Sequence, residues 1–328
     1  MVRFNTFSIV AYDADEKACG VAVASKFLAA GAVVSWARAG VGAVATQALA
    51  KVGYGPDGLD MLASGMSAEE TLAKLTAADP GSAERQVGIV DTNGGAAAHT
   101  GSECFDWAGH VVGDGFTCQG NILTGEIVVN AMASAYRTAE GELADRLMAA
   151  LMAGDRAGGD RRGKQSAAVM VMKPGGGYGG DNDHYLDLRV DDHLDPVTNL
   201  AELVQAHHLF FGTPDPSDQL AINADIAREL QTMLIEQDYM QGDADGTWDE
   251  LTKQAILLES CSDYSGAVDL YNQVTIHHQD LCTSAPLVSV KVCLYLVYSQ
   301  RSSLLMISDT VVRTIAVNQR AILGSQIS

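Results

Sequence analysis

A threonine heads the first apolar run of the chain, Thr6-Phe7-Ser8-Ile9-Val10-Ala11. If the backbone is cut just before it, Thr6 carries both a nucleophilic hydroxyl and a free α-amine. That amine has a reference pKa of ~8, close enough to neutrality to accept the hydroxyl proton. One residue then supplies nucleophile and base for attack on a carbonyl. A Thr that opens a strand is also ordinary, because its branched side chain suits strands. Met1 to Asn5 precede it, and an uncut chain has no free amine at Thr6.

The elements that would position Thr6 are legible from period and punctuation. Small and β-branched residues predict strands at about 6–12, 19–25, 32–38 and 41–47, with Gly31 and Gly40 between them. An acidic turn, Tyr12 to Lys17, joins the first two. Pro56 sits near the first turn of a helix that reaches about Ala63. Ser67 and Glu70 form a capping-box pattern that starts a helix running to about Ala77. Strands return at Gln86–Asp91 and Gly95–His99 around the hairpin signal Asn93-Gly94, and again near Trp107–Val112 and Phe116–Ile122. Two helices follow, about Gly125–Ala139 and Gly141–Ala153, then strands at Ser166–Met172 and Tyr185–Val190, then a helix from Pro196 to about Phe211. Strands, helices, strands and helices in that order suit an α+β core of sheets covered by helices.

A set of ordered motifs adds to this. They include Trp36-Ala37-Arg38-Ala39-Gly40-Val41-Gly42-Ala43, Arg85-Gln86-Val87-Gly88, Ala98-His99-Thr100-Gly101, Gln119-Gly120-Asn121-Ile122-Leu123, Gly158-Gly159-Asp160-Arg161-Arg162-Gly163 and Leu188-Arg189-Val190-Asp191-Asp192-His193. From Thr6 to about Phe211 the chain resembles an uncharacterised bacterial and archaeal family assigned to the N-terminal-nucleophile hydrolases. The resemblance implies a four-layer αββα sandwich, Thr6 as nucleophile, frequent homo-oligomers and no cofactor. In threonine-type members of that superfamily a Lys and an acid stand near the nucleophile. Here Ser25 occupies about the position where the acid is expected, and Lys26 follows it. Lys26 reads either as the activating cation or as a solvated strand-end charge, since alternation turns it away from Thr6 if Ser25 faces inward. Gln47, in the shared motif Thr46-Gln47-Ala48, is assigned to substrate binding.

Other side chains carry candidate roles of their own. Asn121 follows Gly120, which lets backbone approach closely, and its amide suits an oxyanion donor; a turn Asn is the plainer reading. His99 polarises substrate or is a hydrogen-bonded structural His. Asp160, Arg161 and Arg162 hold a substrate carboxylate by paired donors or form an ion-pair network. Asp181, Asp183, His184, Asp187, Asp191, Asp192 and His193 concentrate oxygen and nitrogen ligands that suit magnesium, manganese or zinc. Asp183, His184 and His193 are the candidate metal set. Leu186, Leu188 and Val190 alternate as in a strand, however, which puts Asp187, Arg189 and Asp191 on one face as a salt-bridge ladder. That reading is preferred to a metal.

Composition narrows the partners. A net charge of −20 argues against nucleic acid and anionic membrane surfaces. No uncharged stretch of about 18 apolar residues suggests a membrane span. The opening residues lack a separate apolar h-region, and Cys19, Cys104, Cys118, Cys261, Cys282 and Cys293 lack C-x-x-C spacing. A reduced, cytoplasmic protein is expected. The expected organisation is a domain over 1–212, a proline-bearing linker over 213–221 and a small helical module over 222–259. That module, with Leu230-Gln231, Asp245-Gly246 and Thr252, resembles peptidoglycan-binding modules. Beyond it, 260–328 has no Glu after Glu259 and equal numbers of acids and bases. It reads as an atypical tail, with a frameshifted reading frame preferred to a divergent extra unit. The function expected is an amidohydrolase acting on a small amide or peptide, such as a cell-wall fragment. The alternatives are a non-catalytic binding or scaffold protein and a metal-dependent hydrolase.

Overall fold

The computed structural model of the protein describes residues 6–211 and 222–260. The expected linker, 213–221, and the atypical tail beyond Ser260 lie outside the described residues. The chain divides into two compact units, Met1–Gln205 and Ala206–Ser328.

Among its described residues the first unit holds ten strands in two antiparallel sheets. β1 (Thr6–Asp13) and β2 (Ala18–Ser25) form the opening hairpin. β7 (Gly109–Gly113) and β8 (Phe116–Asn121) extend the sheet on the β1 side. β9 (Ser166–Met172) and β10 (His184–Val190) extend it on the β2 side. The order is β10-β9-β2-β1-β8-β7, so β1 is central. The second sheet is β3-β4-β5-β6, from β3 (Ser35–Arg38), β4 (Gly42–Ala48), β5 (Arg85–Asp91) and β6 (Ala96–Thr100).

Strand alternation decides what each face meets. Phe7, Ile9 and Ala22 pack against α4 (Ile127–Thr138) and α5 (Leu143–Arg156) through Val128, Met132, Leu147 and Leu151. Val197, Leu200 and Val204 of α6 (Pro196–Phe211) join the same cluster. On the second sheet, Val44, Val87 and Ile89 pack against α2 (Tyr54–Ala63) and α3 (Ala68–Ala77) through Tyr54, Leu59, Leu62 and Leu75. The inner faces meet each other: Val10, Val21 and Val23 pack with Ala43, Ala45 and Val90. The arrangement is compatible with an α+β sandwich. The capping box at Ser67 is present, with both reciprocal bonds to Glu70 made.

One predicted strand is corrected. The stretch expected as strand from residue 32 opens instead with a helical turn, α1 (Gly31–Val34), and extends only from Ser35. Val33 and Val34 favour strand by propensity, but tertiary packing overrides it. Ser166 on β9 donates to Phe27 O at 2.6 Å and accepts from Ala30 N at 3.0 Å, which curls the chain after β2. Gly31 lets that turn close on β9, because a Cβ there would lie 2.3 Å from Cβ of Ala168.

The second unit contains α7 (Ala224–Glu236) and α8 (Glu250–Ser260). With α1 to α6 these make eight helices among the described residues. None is long and apolar enough to cross a membrane.

Candidate functional site

The alternation that sends Phe7 and Ile9 toward the helices sends Thr6 and Ser8 between the sheets. Register then gathers polar residues at one end. Thr6 pairs with Ser25 on one side and with Asn121 on the other, and Ser8 pairs with Gln119. The facing sheet contributes Gln47, which pairs with Gln86, and Gln86 pairs with Thr100. Thr6, Ser8, Ser25, Gln47, Gln86, Gln119 and Asn121 are all buried.

These groups satisfy one another. The Thr6 hydroxyl donates to Ser25 Oγ at 3.3 Å. Gln47 Nε2 donates to the Thr6 carbonyl at 3.3 Å and to Gln86 Oε1 at 2.8 Å. Asn121 Nδ2 donates to the same Gln86 oxygen at 3.0 Å. Ser8 Oγ donates to Gln47 Oε1 and accepts from Gln119 Nε2, both at 2.7 Å. The Thr117 hydroxyl donates to Gln119 Oε1 at 2.6 Å. Buried amides without such partners would each cost about 1–3 kcal/mol. Gly88 makes room for the cluster, since a Cβ there would lie 2.3 Å from both Gln119 Oε1 and Thr117 Oγ1.

Backbone strain gathers at the same strand ends. Ala48, which follows Gln47, has φ +70°, and Ile122, which follows Asn121, has φ +50°. A β-branched residue in the left-handed region is costly and persists only where surroundings fix it. The Ile122 amide donates to Phe105 O at 3.0 Å, and its carbonyl accepts from Arg161 N at 3.1 Å.

Over residues 6–200 the chain matches the model of a family described as a family of unknown function, DUF1028. The chain belongs to the DUF1028 family. A solved crystal structure of a DUF1028 protein from Silicibacter pomeroyi is similar to it, with 33% sequence identity and a TM-score of 0.57. The similarity covers 65% of this chain and 89% of that one. No curated protein matches the chain. The whole buried polar cluster, from Thr6 to Asn121, falls inside the DUF1028 segment.

The remaining sequence-derived candidates of the DUF1028 segment occupy different places. Asp160 lies beside the cluster: its carboxylate accepts from Lys26 N at 2.8 Å, directly after Ser25, and from Arg162 N at 2.9 Å. The Arg162 side chain pairs with it at 3.1 Å. Arg161 is exposed, and its Nη2 donates to Asp106 O at 3.1 Å. Lys26 turns outward, where Nζ donates to Lys164 O at 3.1 Å. His99 pairs with Val87, whose side chain packs toward α2 and α3, and its Nε2 meets Ser82 O at 2.9 Å. Lys26 and His99 are therefore not brought into the hydrogen-bonded cluster around Thr6.

The Asp/His segment is also occupied by local contacts. Asp187 and Arg189 make a bidentate pair at 2.8 Å. Asp183 Oδ1 accepts from Gly175 N at 2.9 Å, and His193 Nδ1 accepts from Asp195 N at 3.0 Å. His184 is exposed on β10. Among the described residues no three His, Cys, Asp or Glu side chains are grouped to hold a metal ion. Buried Cys19 is pushed up to about 12 by desolvation, and desolvation raises Cys118 as well, so neither offers a thiolate at neutral pH.

Ser8, Gln86, Thr117 and Gln119 had no role assigned from sequence. For Ser8, Thr117 and Gln119 the signal is spacing: polar residues recur with period two at 6 and 8 and at 117, 119 and 121, with small or apolar residues between, whereas Gln86 has no such pattern. In the second unit, Gln231 plays a comparable part. Its Nε2 donates to Asp245 Oδ1, Thr247 O and Thr252 Oγ1 at 3.0–3.1 Å, and its Oε1 accepts from Gly246 N at 2.7 Å. Gly246 takes φ +82° to make that turn.

Proposed function

We propose that this DUF1028 protein is an amide hydrolase of the N-terminal-nucleophile type, with a four-layer αββα fold and Thr6 as the nucleophile. The observation that carries the reading is the position of Thr6: first residue of the central strand, buried, between Ser25 and Asn121 in register. The hydroxyl to which Thr6 donates, Ser25, is not a base. The hydrogen-bonded cluster around Thr6 is built of neutral hydroxyls and amides, so a base supplied by the α-amine of Thr6 itself suits this setting.

Activation then proceeds by self-cleavage. Thr6 Oγ attacks the carbonyl carbon of Asn5, the C–N bond breaks, and the Thr6 nitrogen takes the proton from the hydroxyl. Water hydrolyses the resulting ester, releasing Met1–Asn5 as a carboxylate and leaving Thr6 with a free amine and a free hydroxyl. In turnover the amine accepts the hydroxyl proton as Oγ attacks a substrate amide, and passes it to the leaving nitrogen. Asn121 donates to the developing oxyanion with the amide hydrogen that it does not give to Gln86. Water then releases the acyl group. Gln47 holds the Thr6 carbonyl and so the strand end that carries the nucleophile.

The substrate class is a small amide or peptide. Arg161, exposed beside the residue that follows Asn121, suits a substrate carboxylate; Arg162 is held by Asp160. The resemblance of residues 222–259 to peptidoglycan-binding modules is what favours a peptide derived from the cell wall, met in the cytoplasm by a homo-oligomer. Intact mass of fresh protein beside Thr6→Ala tests the nucleophile. Loss of Met1–Asn5 in the wild type alone is the expected result. Intact chains in both after prolonged incubation would sink the reading and leave a non-catalytic binding protein as its replacement.

A further inference from the structure

Gln86 lies at 0% exposure and touches two groups that the reaction above uses. The direction of its amide is dictated by backbone. Gln86 Nε2 faces Gly120 O at 2.8 Å and Gly109 O at 3.1 Å, and carbonyls only accept. The nitrogen must therefore face β7 and β8, and Oε1 must face the other way. There it accepts from Gln47 Nε2 at 2.8 Å and Asn121 Nδ2 at 3.0 Å. Turning the amide over would set an oxygen against two carbonyls and an NH2 group against two others. Thr100 completes the clamp, with Oγ1 at 2.9 Å from Gln86 Nε2.

We propose that Gln86 is a positioning residue of the Thr6 site, which transmits the fixed carbonyls of β7 and β8 to the side-chain amide of Asn121. It turns Asn121 so that its nitrogen, rather than its oxygen, lies on the Gln86 side. Gln47 Nε2 is held on the same side independently, by the Thr6 carbonyl at 3.3 Å and the Gln119 carbonyl at 3.4 Å. The direction then passes on, because Gln47 Oε1 is left to accept from Ser8, and Ser8 to accept from Gln119. A single acceptor atom, Gln86 Oε1, thus orients the oxyanion donor beside the strand end that bears the nucleophile. The proposal rests on the reading of Thr6 as a self-cleaving nucleophile.

The test uses the full chain and follows release of Met1–Asn5 by intact mass. Gln86→Leu is expected to slow cleavage by ~10²-fold, the scale of losing one oxyanion donor. In an Asn121→Ala background the same change is expected to add less than about threefold, because it acts through Asn121. Gln86→Glu keeps the shape; its carboxyl, when protonated, again donates to Gly120 O. Its rate relative to wild type is expected to rise as pH falls, whereas the ratio for Gln86→Leu stays flat. A residue that only fills space gives additive losses and no acid rescue, and either outcome overturns the proposal. So does a Gln86→Leu chain that folds, by thermal unfolding, and cleaves at the wild-type rate, or a folded Gln86→Glu chain whose rate relative to wild type does not change with pH. Should Gln86→Leu not fold, Gln86→Glu and the side-chain amide NMR signals of Asn121 and Gln47 decide. Those signals are expected to shift in Gln86→Glu as its carboxyl ionises, and signals that stay in place overturn the proposal. A wild type that never cleaves sinks the nucleophile reading too, and is distinguished by intact mass in every chain.

Discussion

Between the two sheets, Val10, Val21 and Val23 meet Ala43, Ala45 and Val90, while toward one end Thr6 and Ser8 of β1 and Asn121 of β8 meet Gln47 and Gln86 of β4 and β5. The strands and the sheet-to-sheet packing are shared; the forces are not. The apolar part is held by burial, which has no direction and tolerates small changes of shape. The polar part is held by amides that each have one permitted orientation, since donors and acceptors must match around the whole cluster. A buried cluster built this way is rigid in the direction of its amides, and intolerant of substitution there.

The strongest way to break the comparison is to remove one amide. Gln119→Leu leaves the Thr117 hydroxyl without its acceptor and takes from the Ser8 hydroxyl the donor it faces, and is expected to cost about 3 kcal/mol in denaturant unfolding. Next, Val21→Ala in the apolar part is expected to cost about 2 kcal/mol through lost burial and an unfilled cavity. Self-cleavage should keep its wild-type rate in that variant. A Val21→Ala chain that fails to cleave while folded would show that the two parts are mechanically one.

A third kind of interior sharpens the contrast. Asp79 is a buried carboxylate at the end of the second sheet, met by Arg85 Nε and the Tyr54 hydroxyl at 3.0 Å each and by Gly81 N at 3.1 Å. Burial pushes its pKa up, but the bonds from Arg85, Gly81 and Tyr54 outweigh that and hold it at about 2, below the ordinary 3.8. A carboxyl that is more acidic when folded adds stability above its unfolded pKa, and loses it as pH falls from 3.8 toward 2. Chemical unfolding across that window is expected to show the loss in wild type and not in Asp79→Asn. The neutral amide cluster contributes nothing to that slope.

The smallest expected effect concerns His110, whose Nδ1 lies 2.8 Å from Thr100 Oγ1, beside Gln86. Desolvation, then the nearby His99, lowers its pKa below 6.5. The unfolded chain therefore binds the proton more readily, so stability is complete above pH 6.5 and falls as pH drops below it. Melting curves of wild type and His110→Asn, compared above and below that pH, check the sign.

Much of the frame was legible because its signals are local. Runs of small and β-branched residues between turn signals placed β1, β2, β4, β5 and β9 within a residue or two, and Ser67 with Glu70 placed the start of α3. The turn at Gly31 was not legible, because the two bonds of Ser166 and the close approach to Ala168 that make it lie more than a hundred residues away. In the candidate site, Thr6, Ser25, Asn121 and Gln47 were named from sequence and stand together. Lys26 and His99 were named on residue type, and strand geometry turns them elsewhere. Gln86 went unread because a glutamine has no chemistry of its own until its neighbours fix which end faces which group.

By itself the sequence determined which positions alternate, where helices start, and that a hydroxyl stands at the head of the first strand. These follow from side-chain size, branching and the spacing of neighbours along the chain. Only the tertiary structure decided that β1 lies in the centre, that residues 6, 25 and 121 share one end of a sheet, and that Gln47 and Gln86 reach them from the other. Register and sheet-on-sheet packing join residues distant in sequence, and hydrogen-bond direction acquires meaning only once those residues meet.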